Sequence, residues 1–181
     1  MTGPRLNVLR RLIVLRHAKS AWPEGVPDHE RPLAGRGRRD APAAGRLLRE
    51  TGRVPDLVVC SASLRTRQTW DLVAAELGAA PEVVFEQRVY GASASELMGV
   101  LREVPERWRS VLLVGHHPGV RDLVLSLAGS GDEEALGRVR EKFPTSAVAV
   151  LELPGPWARL GPGGAELTDF AVPRGSRAMP R

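Results

Sequence analysis

Three short apolar runs, each cut off by charge-capable or hydroxyl side chains, constrain this chain more than any other feature. Leu12-Ile13-Val14-Leu15 stops at Arg16-His17, Leu57-Val58-Val59-Cys60 stops at the segment Ser61 to Arg65, and Val111-Leu112-Leu113-Val114 runs into Gly115-His116-His117. Four consecutive apolar residues suit a strand covered on both faces, as in a parallel sheet sandwiched between helices. In open α/β sheets, ligands gather beyond the carboxyl ends of the strands. The three polar clusters are therefore expected to meet at one edge of one sheet.

The segments between the runs carry helical spacing. Ala44, Leu47 and Leu48 mark a stripe in a helix expected over Arg38 to Thr51, with Pro42 in its first turn and Gly52 at its end. Trp70, Val73 and Leu77 mark a second helix, capped by Ser61 or Ser63, with Arg67 facing outward. A short strand over Glu82 to Phe85, a helix from Ser93 or Ser95, a helix over Val120 to Ala128, a loop over Gly129 to Glu134 and a strand over Ala147 to Leu153 follow. Trp157 to Leu160 and Glu166 to Phe170 read as a closing hairpin across the glycines at 161, 163 and 164. The alternation predicts an α/β fold, a three-layer α/β/α sandwich on a mostly parallel central sheet. It divides the chain into an N-terminal extension at 1–11, one domain at 12–173 and a flexible tail at 174–181.

Charge and cysteine content narrow the function classes. The net charge is +5 and the pI about 10.5, which raises nucleic acid or a membrane surface as partners. Only Lys19 and Lys142 are lysines, the arginines are scattered, and aromatic residues make up 4%, so no stacking platform or basic stripe is present. No stretch is long and apolar enough to span a membrane, and Leu12 to Leu15 is too short for the core of a signal peptide, so a cytoplasmic location is expected. The single cysteine, Cys60, cannot form an internal disulfide framework and is expected to be a buried thiol. No spacing of metal ligands such as HExxH occurs, and neither a metal nor a cofactor is expected.

If the three strand ends converge, they form a pocket with two guanidiniums, Arg16 and Arg65, and two or three imidazoles. Arginine grips oxyanions through a fixed fork of donors, and a neutral histidine is a nucleophile. Phosphoryl transfer uses both, since its transition state spreads negative charge over the phosphoryl oxygens.

On these residues the chain resembles the histidine phosphatase superfamily, whose mark is RHG at the first strand end. Here it reads Arg16-His17-Ala18, followed by S-x-x-x-R-x-x-x-T as Ser61, Arg65 and Thr69 and by G-H-x-P as Gly115-His116-His117-Pro118. The short layout and the late Phe143-Pro144-Thr145-Ser146-Ala147 are most similar to the SixA-type phosphohistidine phosphatases. The resemblance implies a phosphoglycerate-mutase-like fold with a minimal lid. It makes His17 the nucleophile that forms a phosphohistidine intermediate. Arg16, Arg65 and His116 would hold the phosphoryl oxygens, Ser20 would add a hydroxyl, and His117 would lie at the periphery.

Two departures bear on the substrate. Ala18 replaces the glycine of RHG, which a backbone outside the left-handed region tolerates. More important, Gly91 stands where many relatives that cleave esters carry a glutamate to protonate the leaving oxygen. Glu86 is the nearest candidate proton donor, though out of register, and Asp28 and Glu30 are further loop carboxylates. An alkoxide leaving group gains a hundredfold or more, roughly, from a general acid. A phosphorylated imidazole leaves as a neutral ring with less help. A phosphorylated protein side chain, phosphohistidine above all, is thus the expected partner. A small phosphomonoester is the alternative within the family, and a weakly active phosphate-binding module is the alternative outside enzyme function.

Overall fold

The computed structural model describes residues 8–176. Its centre is a seven-stranded sheet in the order β3-β2-β4-β1-β6-β7-β5. The strands are β1 (Arg10–Arg16), β2 (Leu57–Ser61), β3 (Glu82–Glu86), β4 (Ser110–Gly115), β5 (Ala128–Gly131), β6 (Val148–Leu153) and β7 (Ala165–Ala171). Neighbouring pairs among β1 to β4 are parallel, and only β6 runs against the rest. The apolar runs become the central strands because they are buried on both faces. Leu12 and Val14, with Val111 and Leu113, join one core, while Ile13 and Leu15, with Leu112 and Val114, join the other.

Five α-helices among the described residues cover the two faces. α1 (Gly35–Glu50) and α2 (Leu64–Leu77) pack on the side of Ile13 and Leu15. α3 (Ala94–Arg102), α4 (Gly119–Leu127) and α5 (Glu133–Glu141) pack on the side of Leu12 and Val14. This is the predicted three-layer sandwich.

The structure revises several local expectations. α1 begins at Gly35, three residues before the predicted start, so Pro42 lies inside the helix rather than in its first turn. A β-carbon at Gly37 would come within 2.2 Å of the Lys19 carbonyl oxygen, so glycine lets the first turn of α1 press against the chain leaving β1. The segment Ala128–Gly131, expected to end a helix and form a loop, is instead the edge strand β5. Its sequence AGSG has no β-branched side chain, and it pairs with β7 through backbone alone. Trp157–Arg159 is a 3-10 turn and no strand. The Trp157 indole is fully buried and donates to the Trp108 carbonyl, acting as a plug, and β7 pairs with β6 instead. The tail expected from residue 174 is held at its start, where the Gly175 amide donates to Asp40 Oδ1 at 3.0 Å and Arg174 donates to the Thr145 carbonyl at 2.9 Å. Residues 177–181 lie outside the described residues, as do 1–7 of the N-terminal extension.

Candidate active site

Register brings the predicted residues together. β1 and β4 pair with Arg16 opposite Gly115, and β2 pairs with β4 so that Cys60 faces Val114. The next residue on each strand is His17, His116 or Ser61, so the three polar clusters emerge side by side. The His17 amide donates to the Gly115 carbonyl at 3.1 Å, and the rings of His17 and His116 lie 5.4 Å apart, centroid to centroid.

His17 is 7% exposed. Its Nδ1–H donates to the Ala18 carbonyl at 2.7 Å, which leaves Nε2 with a free lone pair. Burial pushes its pKa down to about 3, and His116, Arg65 and Arg16 push in the same direction against the Ala18 bond. The ring is therefore neutral at pH 7. Ala18 is not in the left-handed region, so its methyl group brings no strain, and it is packed in the core beside α1 and α2. Its amide donates to Thr69 Oγ1 at 3.0 Å, and that hydroxyl donates to the Arg65 carbonyl at 2.7 Å. The threonine thus ties the loop behind His17 to the first turns of α2.

His116 shares a 2.8 Å hydrogen bond between its Nε2 and the Ser61 hydroxyl. Burial first, and Arg65 second, lower its pKa to about 4. Ser61 Oγ has no other partner among the described residues, so with Ser61 donating, the neutral ring carries its proton on Nδ1. Arg16 donates from Nη1 to the Phe143 carbonyl at 2.9 Å, and burial with Arg65 nearby lowers its pKa. The 143–146 segment also braces the site: the Ser146 amide donates to the carbonyls of both Arg16 and His17.

Arg65, in the first turn of α2, is 6% exposed. Its Nη1 donates to the Asp28 carbonyl at 2.7 Å and its Nη2 to Asp28 Oδ2 at 3.1 Å. Asp28 also accepts from Arg31 at 3.0 Å and from the Tyr90 hydroxyl at 2.5 Å. The Tyr90 bond, followed by those from Arg31 and Arg65, holds its carboxyl far below the usual range. Ser20 is buried, and its oxygen accepts from Arg31 Nη2 at 2.6 Å, which leaves the serine O–H as a donor. A cavity of about 220 Å³ lies among these side chains, lined by Arg16, His17, Ser20, Arg31, Arg65 and His116, with Lys19, Trp22, His117 and Thr145 around them.

Arg16, His17, Ser20, Arg65 and His116 thus lie where the sequence places them, and His117 is exposed at the rim. Glu86 does not line this cavity. Its carboxylate accepts from the Arg88 side chain and amide at 3.0 to 3.1 Å, and those bonds lower its pKa, so it stays ionised and has no proton to give. The backbone at Gly91 is left-handed, with φ of 68°, which favours glycine there. Arg31 went unrecognised in the sequence because a Pro- and charge-rich loop shows no periodicity. The spacing of Asp28 and Arg31, which form an ion pair three residues apart, is the signal that could have found it. Cys60 is buried, with its thiol pushed up to about 12, and is inert. Among the described residues, no cluster of three or more His, Cys, Asp or Glu side chains is placed to hold a metal ion.

Comparison with known proteins places this geometry. The family model for the histidine phosphatase superfamily (branch 1) matches residues 12–111. An uncharacterised protein of Mycobacterium tuberculosis strain H37Rv is 43% identical over 162 residues, covering 88% of this chain and 100% of the relative. Among solved structures, SixA of Nakamurella multipartitia, assigned as a phosphohistidine phosphatase, is 34% identical with a TM-score of 0.81, over 91% of this chain and 96% of that one. SixA of Agrobacterium tumefaciens, assigned likewise, is 29% identical with a TM-score of 0.77, over 91% and 98%. With three strand ends delivering the expected residues to one cationic cavity, the chain belongs to the histidine phosphatase superfamily, in its SixA-type branch, and is a phosphatase.

Proposed function

We propose that this phosphatase removes the phosphoryl group from phosphohistidine on a protein, through a phosphohistidine intermediate at His17 and without a metal ion. The observation that carries the reading is the neutral His17 ring, with its Nε2 lone pair free, in one cavity with the guanidiniums of Arg16 and Arg65 and with His116. Fixed positive donors around a nitrogen nucleophile suit the oxygens of a phosphoryl group.

In the first step His17 Nε2 attacks phosphorus and the bond from phosphorus to the substrate nitrogen breaks. The leaving imidazole takes that electron pair. With a proton already on its other nitrogen it departs neutral, so no carboxylic acid is required. Water then attacks the phosphorus of phospho-His17, releasing inorganic phosphate and restoring the free ring. Arg16, Arg65 and His116 hold the oxygens through both steps. The ionised states of Glu86 and Asp28 support the nitrogen-linked substrate over an ester, because neither carboxylate has a proton for an alkoxide.

The test compares a histidine-phosphorylated peptide with p-nitrophenyl phosphate and a panel of sugar phosphates, with a chelator present throughout. Faster turnover of the peptide, unchanged by the chelator, is expected, together with an acid-labile, base-stable phosphoryl label on the protein that disappears in His17→Ala. Preference for the esters would overturn the substrate assignment, and loss of activity with the chelator would overturn the metal-free mechanism.

A further inference from the structure

A second cavity of about 400 Å³ adjoins the first and takes no part in holding the phosphoryl group. His29, Ala62, Ser63, Gln87 and Tyr90 line it. Tyr90 connects the second cavity to the first through its contacts: its ring meets His116 edge-on at 5.4 Å, and its hydroxyl donates to the carboxylate that grips Arg65. His116 and Arg65 line the first cavity, so the two lie on either side of one aromatic side chain and its partners.

Trp22, Val26, Leu64, Phe85 and Tyr90 are exposed, and all five lie at or beyond the carboxyl ends of β1, β2 and β3. Trp22 is 75% exposed, with the Arg31 guanidinium 3.2 Å from its ring centre, and Arg67 stacks over Phe85 at 4.1 Å. Trp22 lines the first cavity and Tyr90 the second, and exposed apolar residues beside a site suit an interaction surface. Tryptophan, tyrosine and arginine are also the residue types that carry most binding energy where proteins meet. A small phosphate would use the cationic cavity alone and touch none of Leu64, Phe85 or Ala62.

The geometry points to the second cavity as a docking subsite for the polypeptide that flanks the phosphorylated residue of a protein substrate. The inference rests on the phosphohistidine reading above and adds where the carrier sits. A chain leaving the phosphorylated ring passes Tyr90 and lays its neighbouring side chains into the space between Ala62 and Gln87. Its chemistry is an apolar segment with an acidic residue near it, because Arg67 stands exposed over Phe85 with no carboxylate partner among the described residues, whereas Arg88 is already paired with Glu86 and Glu103.

The test fills the cavity without touching the phosphoryl site. Ala62→Trp and, separately, Gln87→Trp are assayed on two nitrogen-linked substrates, phosphoramidate and a histidine-phosphorylated peptide. A rise in KM on the peptide of about tenfold or more is expected, with phosphoramidate turnover kept within about twofold. Peptide kinetics left at the wild-type value in both variants would overturn the subsite. So would equal losses on the two substrates in both variants, which would locate the damage in the catalytic cavity. Retained phosphoramidate turnover also shows that the variants fold. If wild-type protein hydrolyses neither nitrogen-linked substrate, the proposed function fails, whereas the subsite alone fails when both are hydrolysed and the tryptophans change nothing. Sedimentation of wild type and Ala62→Trp covers the other occupant: a concentration-dependent dimer abolished by the substitution would assign the surface to a second copy of the chain.

Discussion

The two ends of the central sheet treat arginine in opposite ways. At the amino end of β1, Arg10 meets Glu106 at 2.9 Å and Arg11 approaches Glu152 at 3.8 Å, so each cation has its own carboxylate. At the carboxyl end, Arg16, Lys19, Arg31 and Arg65 line one cavity, and Asp28 is the carboxylate that Arg31 and Arg65 share. Arg16 has no carboxylate partner there among the described residues, and its Nη1 bonds only the Phe143 carbonyl. Taking these groups out of water disfavours their charged forms, and burial first, with the neighbouring cations after it, lowers the pKa values of Arg16, His17 and His116. The fold gives each cation its own carboxylate at the amino end and leaves an excess of cations around one cavity at the carboxyl end.

The sharpest way to break this contrast is to remove the imidazole that the excess charge surrounds, the proposed nucleophile. His17→Ala is expected to lower kcat by at least about 10⁴-fold, with His117→Ala keeping most of the activity, as measured by phosphate release from a histidine-phosphorylated peptide. Comparable losses in the two would reverse their roles. Next in size is Arg65→Lys, expected to cost roughly a hundredfold in kcat/KM, because a point charge cannot reproduce the planar fork that holds the Asp28 carbonyl and carboxylate and keeps the positive charge fixed beside His17. Unchanged kinetics in that variant would remove the guanidinium fork from the mechanism.

Legibility in the sequence followed the same division. The strands that deliver the site announce themselves, because burial on both faces demands unbroken runs such as Leu12 to Leu15, and their polar stops mark His17, Arg65 and His116. What the sequence could not show are features held by backbone pairing or by contacts across the loop. β5 is AGSG, with nothing to distinguish it from a turn. Arg31 reaches the cavity only because Ala34 N–H bonds the Lys19 carbonyl and Ser20 bridges Leu33, folding the 21–33 loop back over the site. Glu86 looked available because its neighbour Arg88, two residues on, gives no sign in sequence of turning back on it.

Acid should expose the cost of the cationic end. His17 is neutral in the fold down to about pH 3, whereas its unfolded value is 6.5, so below 6.5 the unfolded chain binds the proton and the folded one does not. Stability from this group is constant above pH 6.5 and falls as pH drops from 6.5 toward 3, by on the order of 1.4 kcal/mol per unit. The check is urea unfolding at pH 7 and pH 5, with His17→Gln as reference. The wild type should lose more stability than the variant over that interval, and an equal loss would mean that His17 carries its charge in the fold. Smaller again is Asp28→Asn, expected to cost about tenfold in kcat/KM. The neutral amide loosens Arg65 and Arg31 together, and the loss should appear in kcat and KM jointly under steady-state assay.

The smallest expected effect lies at the opposite end. Arg10 is salt-bridged to Glu106 and also donates to the Gly155 carbonyl at 3.2 Å, near the segment that leads into the buried Trp157. The pair is partly exposed, and such pairs are worth about 1 kcal/mol or less. Arg10→Met is therefore expected to leave kcat/KM on the phosphorylated peptide unchanged and to shift the urea midpoint slightly. Inorganic phosphate sharpens the comparison further: on the proposed reading it binds the folded cationic cavity, so it should raise the melting temperature of the wild type and of Arg10→Met equally. In Arg65→Lys that increment should shrink. An increment lost in Arg10→Met would show that the two ends of the sheet are not electrostatically independent.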